Sequence, residues 1–238
     1  MTIREIENVI RIAFGFGDLR APYWFIGLEP GLSRTEPKKR KKIIANRISA
    51  WQGHEIDDLY EYHSRINVNQ WFGPEAKLQR TWAKLIRMLL VLNGKPADVE
   101  SIRKFQSDEW GRTKSKTCLL ELFPLPCPST KEEAWKACYP FERHDYEIRC
   151  RKLRVPRLKE LIREYRPKAV IFYGMMRRRM EDWKLISDAG FDNSRDGFFI
   201  EGKQGTLFVV IQHPASYGPT NEYFEKIAIK IHRQLRKA

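Results

Sequence analysis

Tyr23-Trp24-Phe25-Ile26-Gly27-Leu28-Glu29-Pro30-Gly31 is the stretch that most narrows what this chain can fold into. It opens with a continuous apolar run and closes on Gly-Leu-Glu-Pro-Gly. A run without polar alternation reads as a short strand buried on both faces, the pattern of a parallel sheet. Pro30 has no N–H to offer a sheet ladder, and Gly31 permits a turn, so the strand has to stop there. Glu29 is left at the carboxyl end of a central strand. In open α/β sheets that edge is where ligands bind. By itself such a segment is equally a strand end with a solvated acid, so the rest of the chain must decide.

Helical and extended patterns alternate along the remainder. Residues 3–14 read as a helix with Ile3, Ile6, Ile10 and Ala13 on one face. A polar stretch with the run Lys38-Lys39-Arg40-Lys41-Lys42 follows Gly31. Helices are expected over 75–93, stopped by Asn93-Gly94, and over 98–109. Thr117–Phe123 is a second strand. Thr130-x-x-Glu133 reads as a capping box, and 144–165 as a helix kinked at Pro156. Lys168–Tyr173 is the third strand, and a basic helix runs from Met175 to Ser187. Phe198–Glu201 and Thr206–Ile211 form a strand pair, and the last helix lies near 221–236. This alternation predicts one α/β domain over 1–238 with a parallel sheet.

Charge narrows the partner. Lys and Arg number 44 against 30 Asp and Glu, a net +14. A chain this basic is suited to nucleic acid more than to any other partner. No stretch is apolar for long enough to span a bilayer, and the acidic Met1–Glu5 start does not resemble a signal peptide. The expected setting is therefore intracellular, with reduced thiols at Cys118, Cys127, Cys138 and Cys150. The four contain no C-x-x-C pair, so no metal site is expected.

Three chain-distant strand ends carry notable groups: Glu29-Pro30-Gly31, Glu121-Leu122-Phe123-Pro124 and His213-Pro214. In a parallel sheet all three lie on one edge. Glu29 and His213 are thus expected on opposite sides of a single cleft, with Phe72 or Phe123 as its floor.

With these motifs in place, the chain resembles the uracil-DNA glycosylase superfamily. Gly27–Gly31 looks like its first motif, and Trp71-Phe72-Gly73-Pro74-Glu75-Ala76 like its aromatic-Gly segment. Thr117–Leu125 resembles the base-reading strand. Ala137–Phe141 with Arg166–Gly174 resembles the approach to the third strand, and His213-Pro214-Ala215-Ser216 the final motif. The nearest branch looks like the thermophile-type iron–sulfur enzymes. Leu28 stands where that branch has its acid, and Glu29 comes one place later. Cys118 and Glu121 stand nearest the base-reading amide. Only Cys138 matches a cluster cysteine, so no cofactor is expected.

The resemblance implies a three-layer α/β/α sandwich around a four-stranded, mainly parallel sheet. It implies a DNA glycosylase acting on a flipped, damaged or deaminated base. Glu29 would orient water and stabilise the sugar cation, and a neutral His213 would donate to the leaving base. Leu28, Phe72, Cys118, Glu121 and Phe123 would line the base. An ionised Glu121 would favour an exocyclic amino group over a carbonyl edge. Lys38, Lys39, Arg40, Lys41, Arg177, Arg178, Ser216 and Tyr217 would meet DNA, damaged or single-stranded, with Tyr217 as the wedge. The protein would be a cytoplasmic, nucleoid-associated monomer. The other readings are a catalytically silent nucleic-acid-binding protein of the same fold and an enzyme on free nucleosides or nucleotides.

Overall fold

The computed structural model describes residues 2–32, 35–129, 131–175, 179–192 and 197–237. Among these, the elements run α1 (Ile3–Ile12), β1 (Gly15–Gly17), β2 (Tyr23–Gly27), α2 (Pro37–Ser49), β3 (Ile56–Asp57), α3 (Leu59–Arg65), α4 (Arg80–Leu92) and α5 (Val99–Asp108). They continue with β4 (Thr117–Glu121), α6 (Glu132–Lys136), α7 (Arg143–Tyr165), β5 (Ala169–Tyr173), α8 (Met180–Ser187), β6 (Phe199–Lys203), β7 (Thr206–Ile211) and α9 (Asn221–Leu235).

The strands form one seven-stranded sheet in the order β3-β1-β4-β2-β5-β7-β6. Its centre, β4-β2-β5-β7, is parallel throughout. Short β1 and hairpin strand β6 flank that centre in antiparallel pairing. Parallel neighbours need crossovers, which the intervening helices supply.

Both faces of the centre are buried, as a continuous apolar run requires. Successive side chains leave a strand on opposite sides. Trp24 and Ile26 pack with residues of α1, α2, α7 and α8, whereas Tyr23 and Phe25 pack with those of α4, α5 and α9. Fully burying one such side chain is worth about 1.5–3 kcal/mol.

Several expected boundaries move. The first helix stops at Ile12, because Gly15 enters the sheet against β4. A Cβ at Gly15 would sit 1.9 Å from the Leu119 carbonyl oxygen, so only glycine allows this approach. The polar stretch after Gly31 folds into α2, β3 and α3, with Ile44 and Ile48 of α2 buried. Residues 75–79 precede α4 rather than belonging to it, and Gln79 caps that helix by accepting from Trp82 N–H. Thr130 of the expected capping box lies outside the described residues; α6 begins after Lys131. Helix α7 continues through Pro156 to Tyr165.

Arg154 joins these layers. Its side chain is fully buried, and its guanidinium donates to Ile10 O, Ala13 O, Glu121 O and Leu122 O at 2.7–3.0 Å. It also lies 4.0 Å from the Phe14 ring centroid. The end of α1 is thereby tied to the end of β4. Burial draws its pKa down to about 10, so it stays charged at neutral pH.

Candidate active site at the carboxyl edge of the sheet

The parallel centre brings the ends of β4, β2, β5 and β7 to one edge. Glu121 ends β4 and stands in register with Gly27 of β2. Tyr173 ends β5 on the other side of β2. Their side chains meet across the central strand because residue 27 has no side chain. A Cβ on Gly27 would lie 2.4 Å from Glu121 Oε2 and 2.4 Å from the Tyr173 hydroxyl.

Tyr173 donates to Glu121 Oε1 at 3.1 Å. Oε2 is shielded from solvent and has no hydrogen-bond partner. Burial pushes the Glu121 carboxyl up to about 8, against the Tyr173 hydrogen bond and with help from the Glu29 charge. Near neutral pH the group is therefore a carboxylic acid. With Oε1 accepting from Tyr173, the proton resides on Oε2, a donor awaiting an acceptor.

His213 follows β7, and its ring centroid lies 5.8 Å from that of Tyr173. Nδ1 accepts from the Ala215 N–H at 3.1 Å, so the ring proton is on Nε2. Burial lowers the imidazole pKa, which keeps the ring neutral. The preceding residue is fixed too: Gln212 N–H donates to the Tyr223 hydroxyl of α9 at 3.0 Å. Ser216 Oγ donates to His213 O at 2.7 Å, closing the turn after the histidine. Tyr217, at the tip of that turn, is fully exposed.

Glu29 shares the edge but is drawn toward α7 rather than toward His213. Its carboxylate takes a 2.6 Å bond from Arg143, and both side chains are almost buried, at 11% and 6% exposure. Arg143 also holds Glu147, which pairs with Arg179 and Arg151. Asp182 of α8 closes the network through Arg151. Burial pushes the Glu29 carboxyl up, against the pull of Arg143. For Glu147, burial opposes charge, yet hydrogen bonds from Arg179 and Arg143 draw the carboxyl down to about 2. The edge groups fall into two hydrogen-bonded or ring-contact clusters. Glu121, Tyr173 and His213 form one, and Glu29 with its arginines forms the other.

The other expected contacts divide similarly. Phe123 is fully buried beneath Arg151 and Arg179, whose guanidinium carbons lie 5.3 and 5.0 Å from its ring centroid. It cannot serve as an exposed floor for a base. Cys118 is also fully buried, opposite Trp24 within the sheet, and so is out of reach. Leu28 packs into the core on the α7 side and lies against Gly174. Phe72 is half-buried among Tyr60, His63 and Trp82.

Lys38, Lys39 and Lys41 are exposed on α2, while Arg40 bonds Thr35 O. Arg47 donates to Gly31 O at 2.8 Å, which ties this basic helix to the strand end. Arg177 and Arg178 lie outside the described residues; their neighbour Arg179 is buried in the ion-pair network. Tyr173, Arg143 and Arg154 were not singled out from the sequence. Arg143, Glu147 and Arg151 did leave a signal, an i, i+4, i+8 charge pattern on one helix face.

The fold and edge groups define an α/β protein with a polar cluster at the carboxyl ends of a parallel sheet. Among the described residues, no helix is long and apolar enough to cross a membrane. No protein-family model matches the chain, and no curated protein matches it.

Proposed function

We propose that the protein is a uracil-DNA-glycosylase-like enzyme that binds DNA and hydrolyses the N-glycosidic bond of a flipped base. The observation that carries this reading is the Glu121–Tyr173–His213 cluster at the strand ends. A parallel four-strand centre with helices packed on both faces suits the sandwich expected from the motif resemblance. The net charge of +14 and the exposed lysines of α2 suit a phosphate backbone.

The chemistry runs on neutral donors. Cleavage of the glycosidic bond leaves negative charge on the departing base. The Nε2–H of His213 is a preorganised donor for that charge. Glu121, held as the acid, would offer a second donor to a carbonyl oxygen on the base once the Tyr173 contact opens, because its Oε2 is shielded from solvent. This reverses the preference expected for an ionised carboxylate. Arg143 takes only Oε2 of Glu29, which leaves Oε1 to orient water.

The test is base release from oligonucleotides carrying uracil, hypoxanthine, xanthine and mismatches. Release from a carbonyl-bearing base, reduced about 10²–10³-fold by His213→Ala, is the expected result. The Glu29–Arg143 ion pair favours a second reading, a nucleic-acid-binding protein without catalysis. DNA affinity with no release from any substrate would establish that reading instead.

A further inference from the structure

The loop between α3 and α4 is ordered from beneath by polar groups of α5. Gln106 is fully buried; it accepts from Gln79 N–H at 3.0 Å and donates to Trp71 O and Lys77 O at 2.8 and 2.9 Å. Ser107 donates to Gly73 O at 3.0 Å, and Arg103 to Ala76 O at 3.1 Å. Gly73 turns the chain at φ +93°, a left-handed conformation suited to glycine. The loop is thus fixed through its backbone, with Phe72 packed against the core and Trp71 partly exposed.

Those rings form a patch. Trp82 lies 6.3 Å from Trp71, 6.4 Å from Phe72 and 5.7 Å from His63. All four side chains are only partly buried. Trp24, Trp110, Trp135 and Trp183, by contrast, are at most 1% exposed. Lys77 and Arg80 are exposed beside the patch, and Arg112 lies 4.7 Å from the Tyr60 ring. Lys84 bonds Asn221 and Arg87 bonds Glu225, so α4 and α9 run side by side. Helix α9 is the one that follows His213.

We propose that this patch is a stacking platform for single-stranded nucleic acid, with Trp71 and Trp82 as the ring faces and Lys77 and Arg80 as the phosphate contacts. Partly exposed rings beside cations match unpaired bases, which expose their own faces; a duplex hides them. The platform shares the nucleic-acid partner of the function proposed above and needs no bond cleavage.

Titration with oligothymidylate, followed by intrinsic tryptophan fluorescence, tests it. Saturable quenching is expected, with affinity falling as salt rises. Trp71→Ala and Trp82→Ala should each weaken binding by about fivefold or more. Trp71→Phe and Trp82→Phe, which keep a ring, should retain most of it. A duplex of equal length should bind more weakly. Absence of quenching, equal affinity for duplex, or indifference to both alanine variants would overturn the proposal. Circular dichroism of each variant separates lost stacking from lost fold, and Trp71, on the loop, decides the matter if Trp82→Ala unfolds. Oligothymidylate binding without base release from any substrate would remove the excision reading and leave the platform standing. Base release with binding indifferent to Trp71 and Trp82 would do the reverse.

Discussion

The Tyr173 hydroxyl and the Glu121 carboxyl meet 3.1 Å apart across Gly27, over the end of the strand that separates them. Two side chains from β4 and β5 thereby close the space above β2. The contact is open only to a strand that has glycine at that register.

Gly27→Ala should therefore destabilise the fold. The added methyl would meet Glu121 Oε2 and Tyr173 at 2.4 Å, and overpacking of this kind costs about 1–3 kcal/mol. Urea unfolding measures the loss. Unchanged stability would mean that the two side chains do not cross there.

Glu121 should make stability depend on pH in a particular direction. Its folded pKa, about 8, lies above the ordinary 4.5. Between those values the folded chain holds a proton that the unfolded chain has released. Stability from this group should fall as pH rises from about 4.5 to 8, then level off. Glu121→Gln, neutral throughout, should remove that slope from urea midpoints measured across the window. An identical slope in the variant would assign the proton elsewhere.

Arg143→Met should be severe. It leaves Glu29 without its guanidinium and removes one of the cations holding Glu147. Breaking a buried pair from one side costs about 3–5 kcal/mol. Thermal or urea unfolding reports it, and Glu29→Gln should cost clearly less. Equal losses would show that the bond to Glu29 carries the whole effect and that the arginine's contacts with Glu147 and with the Trp135 ring, whose centroid lies 5.3 Å away, add nothing.

DNA affinity should depend on α2. Replacing Lys38, Lys39 and Lys41 with Gln removes three exposed cations from beside the Glu29 strand end. If all three meet phosphates, the slope of log affinity against log salt should shrink by roughly two to three units. Fluorescence anisotropy over a salt series gives the slope. An unaltered slope would place the phosphate contacts on another face.

Much of the frame was legible in the sequence. Unbroken apolar runs such as Tyr23–Ile26 and Leu207–Ile211 announce strands buried on both faces, because no polar side chain there could reach water. The helical spacing of Leu85, Ile86 and Leu89, and of Phe224, Ile227 and Ile231, likewise marks the faces that cover the sheet. Such signals are local: each is carried by residues within a turn or two of one another. Alternating strands and helices then bring Glu29, Glu121 and His213 to one edge by topology alone.

What the sequence left undecided is the pairing of side chains within that edge. Glu121 and Tyr173 are 52 residues apart in the chain, and Glu29 and Arg143 are 114 apart. Whether Glu29 turns toward His213 or toward Arg143 depends on how α7 packs, and no local periodicity encodes that. The protonation of Glu121 depends on a neighbour across an empty glycine and on the exclusion of water, both of which exist only once the sheet has assembled. The sequence by itself determined the strands, the helical faces and the shared edge, through short-range burial of apolar groups. The tertiary structure alone decided which acid is paired, which is neutral and which aromatic rings stay exposed, because electrostatics in a packed interior depend on distances set by the whole fold.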